Sequence, residues 1–324
     1  MKLKTDNIFT GQSGFALVMV MVSILILEIV CFFLTQSRGI QTMMVSNRTK
    51  KLKALYLAEA GLAHGLWRLQ KDPAWRTQMT SLSLGDGSYT VSFTEDTANR
   101  LISVNCQSAA QGTKSSARRT VSWVIIQPKS SGTFKGEDTY LVEGKPNDIE
   151  ESKNPGQLWL DSESGAGTKR CRTLVRFDLI KYPLPSDAKV IASRFSLYLF
   201  GAFSPDLSKW PGDSYRIHRV TSQWVESAAT WNNRASLTPW TSAGGDFDAG
   251  YEDSRVFTSF GWQTWRATDL TRYWMNNPSQ NYGLILETSP RNGNYEFYFH
   301  SSANTIDPAL SPKLTVYYLD SRRP

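Results

Sequence analysis

The chain of 324 residues carries only three histidines and three cysteines. Such scarcity excludes several kinds of chemistry. Three cysteines cannot staple a chain of this length, and an odd number leaves at least one outside any pairing. His64, His218 and His300 do not stand at a paired metal-binding spacing, and neither a phosphate-cradling glycine loop nor a nucleophile elbow is present. His218 alternates with apolar residues in a strand-like segment, which fits a structural role. His300-Ser301-Ser302 has no carboxylate and nucleophile arrangement beside it. The expectation is therefore a protein without catalysis. If exported, Cys106 and Cys171 are candidates for a disulfide, while Cys31 lies in an apolar run.

Acidic residues are also in deficit, 29 against 36 lysines and arginines, a net charge of +7. Residues 1–127 hold fourteen basic and seven acidic side chains, whereas 128–324 hold equal numbers. The excess thus flanks the apolar run, where it suits anionic lipid or acidic neighbours better than nucleic acid. Eight of the eleven tryptophans lie in the neutral part.

What is abundant is apolar sequence near the start. Phe15 to Leu34 contains a single charge, Glu28. As a helix this run rises about 30 Å, enough to cross a bilayer core. It exceeds the apolar core of a signal peptide, and no small-x-small cleavage site follows. Beyond it Val45, Leu52, Leu55, Leu62, Leu66 and Leu69 recur at helical spacings and predict that the same helix continues with one apolar stripe. Strands are expected at 88–95, 100–107 and 119–126 to cover that stripe.

The polar, basic leader MKLKTDNIFTGQSG, ending at Gly14 before Phe15, resembles a type IV prepilin leader. KLKALYLAEAGLAHGLWRLQKDP, residues 51–73, resembles PilX-type minor pilins. The resemblance implies cleavage after Gly14 by prepilin peptidase, methylation of Phe15, residence in the inner membrane before assembly, and other pilins and minor pilins as partners. Met19 stands where most pilin-like proteins have Glu as the fifth mature residue. In the family that Glu neutralises a neighbouring subunit's terminal amine, and members lacking it sit at the filament tip. A minor, tip-proximal pilin or a secretion pseudopilin is the expectation.

QPKSSGTFKG, ending at Gly136, reads as a linker. After it no helical stripe of useful length is found. Short alternating or apolar segments at 139–142, 157–160, 172–177, 190–200, 215–220, 283–287, 295–299 and 313–318 predict a β-sandwich or jelly roll. RTLVRFDL (172–179), YRIHRVTSQWVESAATWNN (215–233) and WRATDLTRYWMNN (265–277) resemble a DNRLRE domain. Some members of that family are similar to carbohydrate-binding modules of family 96, which implies binding of acidic polysaccharide such as alginate.

The expected organisation is a leader at 1–14, a membrane part at 15–34, an α+β pilin-like domain at 35–127 with a long helix on a small antiparallel sheet, a linker at 128–136, and an all-β jelly-roll sandwich at 137–324. Trp224, Trp231 and Trp274 are expected in its core. Trp210, Trp240, Trp262 and Tyr251 fall in loop-like stretches and are the candidate sugar platforms, with Arg219, Arg234, Arg255 and Lys209 as candidate cations for an acidic glycan. Asp246, Asp248 and Glu252 form an oxygen-rich turn that matches no EF-hand spacing but is a candidate for Ca²⁺. Two alternatives stay open: an anchored, exported carbohydrate-binding protein outside any filament, and a head that cleaves polysaccharide.

Overall fold

The computed structural model describes residues 12–98, 100–126, 129–130, 134–135, 137–149, 156–161, 170–179, 184–185, 188–203, 206, 210, 212–288, 295–304 and 307–319. Most of the leader, Lys209 and residues 150–155 lie outside the described residues. Helix α1, Gln12–Lys71, is unbroken over 60 residues, about 90 Å. It contains no proline and ends at Asp72-Pro73, because Pro73 has no N–H to donate and its ring would clash with the preceding turn. From Phe15 to Leu34 the large apolar side chains are all exposed. The hydroxyls of Ser23 and Thr35 turn back onto the carbonyls of Met19 and Cys31, at 2.8 and 2.9 Å, which satisfies them within the helix itself. Among the described residues this is the one helix long and apolar enough to cross a membrane.

The chain divides into two compact units, residues 1–61 with 79–91 and 106–117, and residues 62–78 with 92–105 and 118–324. Four strands follow α1 as an antiparallel meander: β1, Met79–Leu84; β2, Gly87–Asp96; β3, Leu101–Ala110; and β4, Thr113–Ile126. In the first unit Ala54 and Leu57 of α1 pack with Ala110 of β3, and the Ser108 hydroxyl donates to the Ala54 carbonyl at 2.6 Å. Gly61 makes this approach possible. A Cβ there would lie 2.3 Å from Cys106 Sγ and 2.7 Å from the Tyr89 ring. β1 was not expected from the sequence, because Ser81 has a positive φ and the ladder slips there, which breaks the alternation.

In the second unit β4 pairs with the last strand, so Ile126 faces Leu314 and Val121 faces Leu319. After the two-residue β5 and β6, Lys129–Ser130 and Phe134–Lys135, come β7, Glu137–Val142; β8, Gln157–Asp161; β9, Cys171–Arg176; β10, Lys189–Ala202; and β11, Tyr215–Arg219. The short β12, β13 and β14 are Asn233–Ala235, Thr238–Pro239 and Asp253–Arg255; β15 is Gly261–Arg266, β16 Leu284–Thr288, β17 Glu296–His300 and β18 Lys313–Leu319. The strands form an antiparallel sandwich. One layer is built on β10, which pairs with β18, β15 and β17, and β17 pairs with β8. The other runs β7-β9-β16-β11-β14. Only Asp161 and Cys171 pair β8 with β9, where the sheet turns over.

Alternate residues of the two layers meet in the core, with Phe195, Leu197 and Leu199 of β10 and Trp265 of β15 among one set, and Val175, Ile217, Leu284 and Leu286 among the other. Trp224, Trp231 and Trp274 are buried as expected. Each strand expected in this region has its counterpart. β15 escaped because Gln263 occupies a largely buried position, donating to the Ser259 carbonyl at 2.8 Å. The expectation of no useful helix is corrected by α2, Thr268–Asn276, too short for a visible stripe but burying Leu270 and Trp274 one turn apart. The disulfide expectation is corrected as well: among the described residues no disulfide forms. Cys106 and Cys171 are buried thiols. Burial, with Glu59 adding to it, pushes the Cys106 thiol up to about 11, which makes it a poor nucleophile.

Two glycines on α1 give opposite expectations. Gly61→Ala should destabilise the protein by about 1–3 kcal/mol through overpacking. Gly39→Ala, with nothing within 4 Å of its Cβ position, should stabilise it by up to about 1 kcal/mol. Denaturant unfolding of the detergent-solubilised protein measures both.

Candidate functional site

The layer containing β9 and β16 has an apolar outer face. Leu174 and Ile285 point away from the core, with Leu141 beside them, and Val220, Trp224, Ala229, Trp231 and Trp240 cover them. Basic side chains on the same face stack on the covering rings. The Arg172 guanidinium lies 5.1 Å from the Trp231 ring centre and 5.0 Å from that of Phe247, and Arg176 lies 5.6 Å from Trp224. Gly244, at φ +90°, is required here. Any Cβ would fall 2.6 Å from Arg172 Nη1, which donates to the Gly244 carbonyl at 2.8 Å.

The turn that follows is held by Asp246. Its carboxylate accepts hydrogen bonds from the backbone N–H groups of Thr241 (3.0 Å) and Ser242 (2.9 Å) and from the Ser222 hydroxyl (2.8 Å). Burial raises this carboxyl, but the hydrogen bonds outweigh burial and hold it below the usual range. Phe247 then bridges to Val220, and the Asp248 N–H donates to the Arg219 carbonyl at 3.0 Å. His218 places Nδ1 2.8 Å from the Asp248 carbonyl, the structural role its position implied.

These constraints place Asp248 against Arg219 in a two-pronged pair, Nε to Oδ2 at 2.7 Å and Nη2 to Oδ1 at 3.3 Å. The same guanidinium lies 3.9 Å from the Tyr273 ring centre. Tyr251 is 53% exposed, with the Arg216 guanidinium 5.2 Å from its ring. Glu252 Oε1 accepts the Asp269 N–H at 2.8 Å in the first turn of α2. Asp269 itself pairs with Arg272 at 3.2 Å and Arg266 at 3.7 Å. Arg219, Asp248, Tyr251, Glu252, Asp269 and Tyr273 line an open cleft of about 620 Å³, with Leu270 also contributing. It combines aromatic walls with hydroxyl and carboxylate edges.

Four residues singled out in the sequence therefore meet in this cleft: Arg219, Tyr251, Asp248 and Glu252. The others do not. Trp240 is buried, its indole N–H donating to the Thr230 carbonyl at 2.9 Å, so it has no face to offer a sugar. Trp210 is half-buried and packs edge-on to Phe260 and Phe297. Trp262 meets Tyr198 edge-on at 5.4 Å, and Lys313 Nζ sits 3.4 Å from its ring centre. Arg234 donates to the Gln223 carbonyl at 2.9 Å, and Arg255 pairs with Asp253. The three candidate calcium ligands are directed to different partners: Asp246 to the turn, Asp248 to Arg219, and Glu252 to α2. Among the described residues no group of three or more His, Cys, Asp or Glu side chains is gathered to hold a metal ion. Tyr273 and Asp269 were missed because both belong to the unexpected α2. The one signal for it was the one-turn spacing of Leu270 and Trp274.

Residues 133–316, more than half of the chain, match carbohydrate-binding module family 96. The chain belongs to carbohydrate-binding module family 96. Every residue lining the cleft falls inside the family 96 module. The family is a binding module, compatible with the absence of catalytic motifs in the sequence. No match to the chain is found among curated proteins.

Within the module, burial raises the Glu252 carboxyl above its ordinary range; the Asp269 N–H opposes this and the Asp269 carboxylate adds to it. A raised carboxyl binds its proton more tightly in the native state than in the unfolded chain. Ionisation therefore costs stability above the unfolded value, and the cost disappears below it. Glu252→Gln keeps an oxygen for the Asp269 N–H and removes that cost. Its melting temperature should exceed wild type at neutral pH, with the gap narrowing as pH falls and gone below about 4. Thermal unfolding across a pH series checks this.

Proposed function

We propose that the protein is a minor, tip-proximal pilin or pseudopilin that displays its family 96 module to bind polysaccharide in the Tyr251–Tyr273 cleft. The observation that carries the binding role is the exposed Tyr251 ring beside three carboxylates and a guanidinium, inside a module of a carbohydrate-binding family. A pyranose has an apolar C–H face that packs on an aromatic ring and a rim of hydroxyls that donate to carboxylates and accept from cations. With its backbone contacts pinning Asp248 and α2 presenting Tyr273, such a cleft is largely preformed.

The pilin role rests on the Gly14-Phe15 junction, the apolar run and the AEAGL stretch, all in order, and on α1 running through the last two without a break. The protein then starts as a single-pass protein of the inner membrane with the module exported, becomes a substrate of prepilin peptidase, and moves with other pilins to the cell surface. Met19 favours one second reading, an anchored binding protein that never enters a filament. The binding role carries no catalysis in either case.

Two measurements test the proposal. N-terminal sequencing of the mature protein should find methylated Phe15; an intact Met1 rules out the pilin role. In affinity electrophoresis through gels containing neutral or acidic polysaccharides, Tyr251→Ala should weaken retention about tenfold or more, the loss expected of a central aromatic contact. Retention equal to wild type removes the cleft from the binding role.

A further inference from the structure

Arg219 has the geometry of a carboxylate receptor, and its fork is already filled by a carboxylate of the protein itself. Nε and Nη2 both point to Asp248, and the guanidinium face rests on Tyr273. The backbone at Asp248 is held in place. Its N–H is bonded to the Arg219 carbonyl, its own carbonyl meets His218 Nδ1, and the preceding Phe247 is bridged to Val220. Of the other guanidiniums nearby, Arg266 and Arg272 flank Asp269, and Arg216 stacks on Tyr251 and does not line the cleft. The lining thus presents three carboxylates to one arginine that is already paired. A uronate entering here would have to break the Arg219–Asp248 pair and leave two carboxylates competing for one fork. A neutral pyranose needs no such displacement, because its hydroxyls can donate to the carboxylates where they stand.

We infer that Asp248 is a specificity-determining residue that occupies the Arg219 fork and makes the cleft selective for neutral polysaccharide over the matching polyuronate. This rests on the cleft being the carbohydrate site. It departs from the acidic ligand that the family resemblance implies, and it does so on the pairing of these particular side chains. The fork–carboxylate contact is bidentate and charge-assisted, so its occupant decides which sugar the arginine can receive.

The test uses the full-length protein in detergent and matched neutral and acidic oligosaccharides that differ only at C6: mannose with mannuronate, glucose with glucuronate, and galactose with galacturonate hexamers. Wild type should bind at least one neutral hexamer, with Tyr251→Ala weakening it, and its uronate counterpart about tenfold or more weakly. Asp248→Asn keeps the backbone contacts and the side-chain shape but releases the fork. It should gain about tenfold for the uronate, while Asp248→Asn combined with Arg219→Gln should lose that gain. Thermal unfolding confirms that each variant is folded; should Asp248→Asn fail to fold, the comparison of matched hexamers on wild type decides alone. Wild-type preference for a uronate, abolished by Arg219→Gln, overturns the inference while leaving the cleft as the binding site. Absence of any Tyr251-dependent binding across the panel overturns the proposed site itself.

Discussion

The apolar outer face of the β9–β16 layer must be covered, and much of the functional architecture follows from how that is done. Leu141, Leu174 and Ile285 would otherwise face water on a sheet whose inner side is already occupied by the core. The cover is a long connection between β11 and β14 rather than a third layer, rich in tryptophan and held down by few but well-satisfied polar groups. Trp224 and Trp240 each donate their indole N–H to a backbone carbonyl, at 2.7 and 2.9 Å, so the rings are buried without stranding a donor. Asp246 gathers three donors and fixes the turn in which the chain comes back toward the sheet. The cleft sits where that cover ends and α2 begins.

The cleft lies at a margin of the covered face, where burial is incomplete and polar groups can stay partly in water. Tyr251 is exposed, yet its neighbours are pinned by backbone contacts, which combines access with preorganisation. Arginine serves throughout as a flat cation: Arg172 on Trp231 and Phe247, Arg176 on Trp224, Arg219 on Tyr273. In the buried positions this packs the cover against the sheet; at the cleft the same habit orients Arg219 toward Asp248. The long helix obeys a different constraint. Its exposed apolar run satisfies all of its backbone polarity internally, which suits a lipid environment, and the close approach at Gly61 seats its later turns on β2 and β3.

Much of this was legible in order along the chain. Hydrophobic patterning located α1 and the long strands β2, β4 and β10, because each carries an alternating or continuous apolar run over many residues. Where a local rule was broken the element was hidden: a positive-φ serine in β1, a largely buried glutamine in β15, nine residues of helix in α2. Of the candidate platforms Tyr251 fell in the cleft, as did the candidate cation Arg219, while Trp240 was drawn into the cover. Composition cannot separate these outcomes, since a loop-like sequence around a tryptophan is the same whether the loop folds outward or lies down on a sheet.

By itself the sequence determined the kinds of structure in this protein: an apolar helix long enough for a membrane, a meander behind it, and an aromatic-rich β module whose family membership spans residues 133–316. These depend on local spacing and on the summed preference of many residues, so they survive without coordinates. The tertiary structure alone decided which charges meet. Asp248 and Arg219 are 29 positions apart, and Tyr273 and Glu252 come from different elements again. Their pairing is set by strand register and by the cover's need to close over apolar surface, both of which are properties of the assembled sheet rather than of any segment.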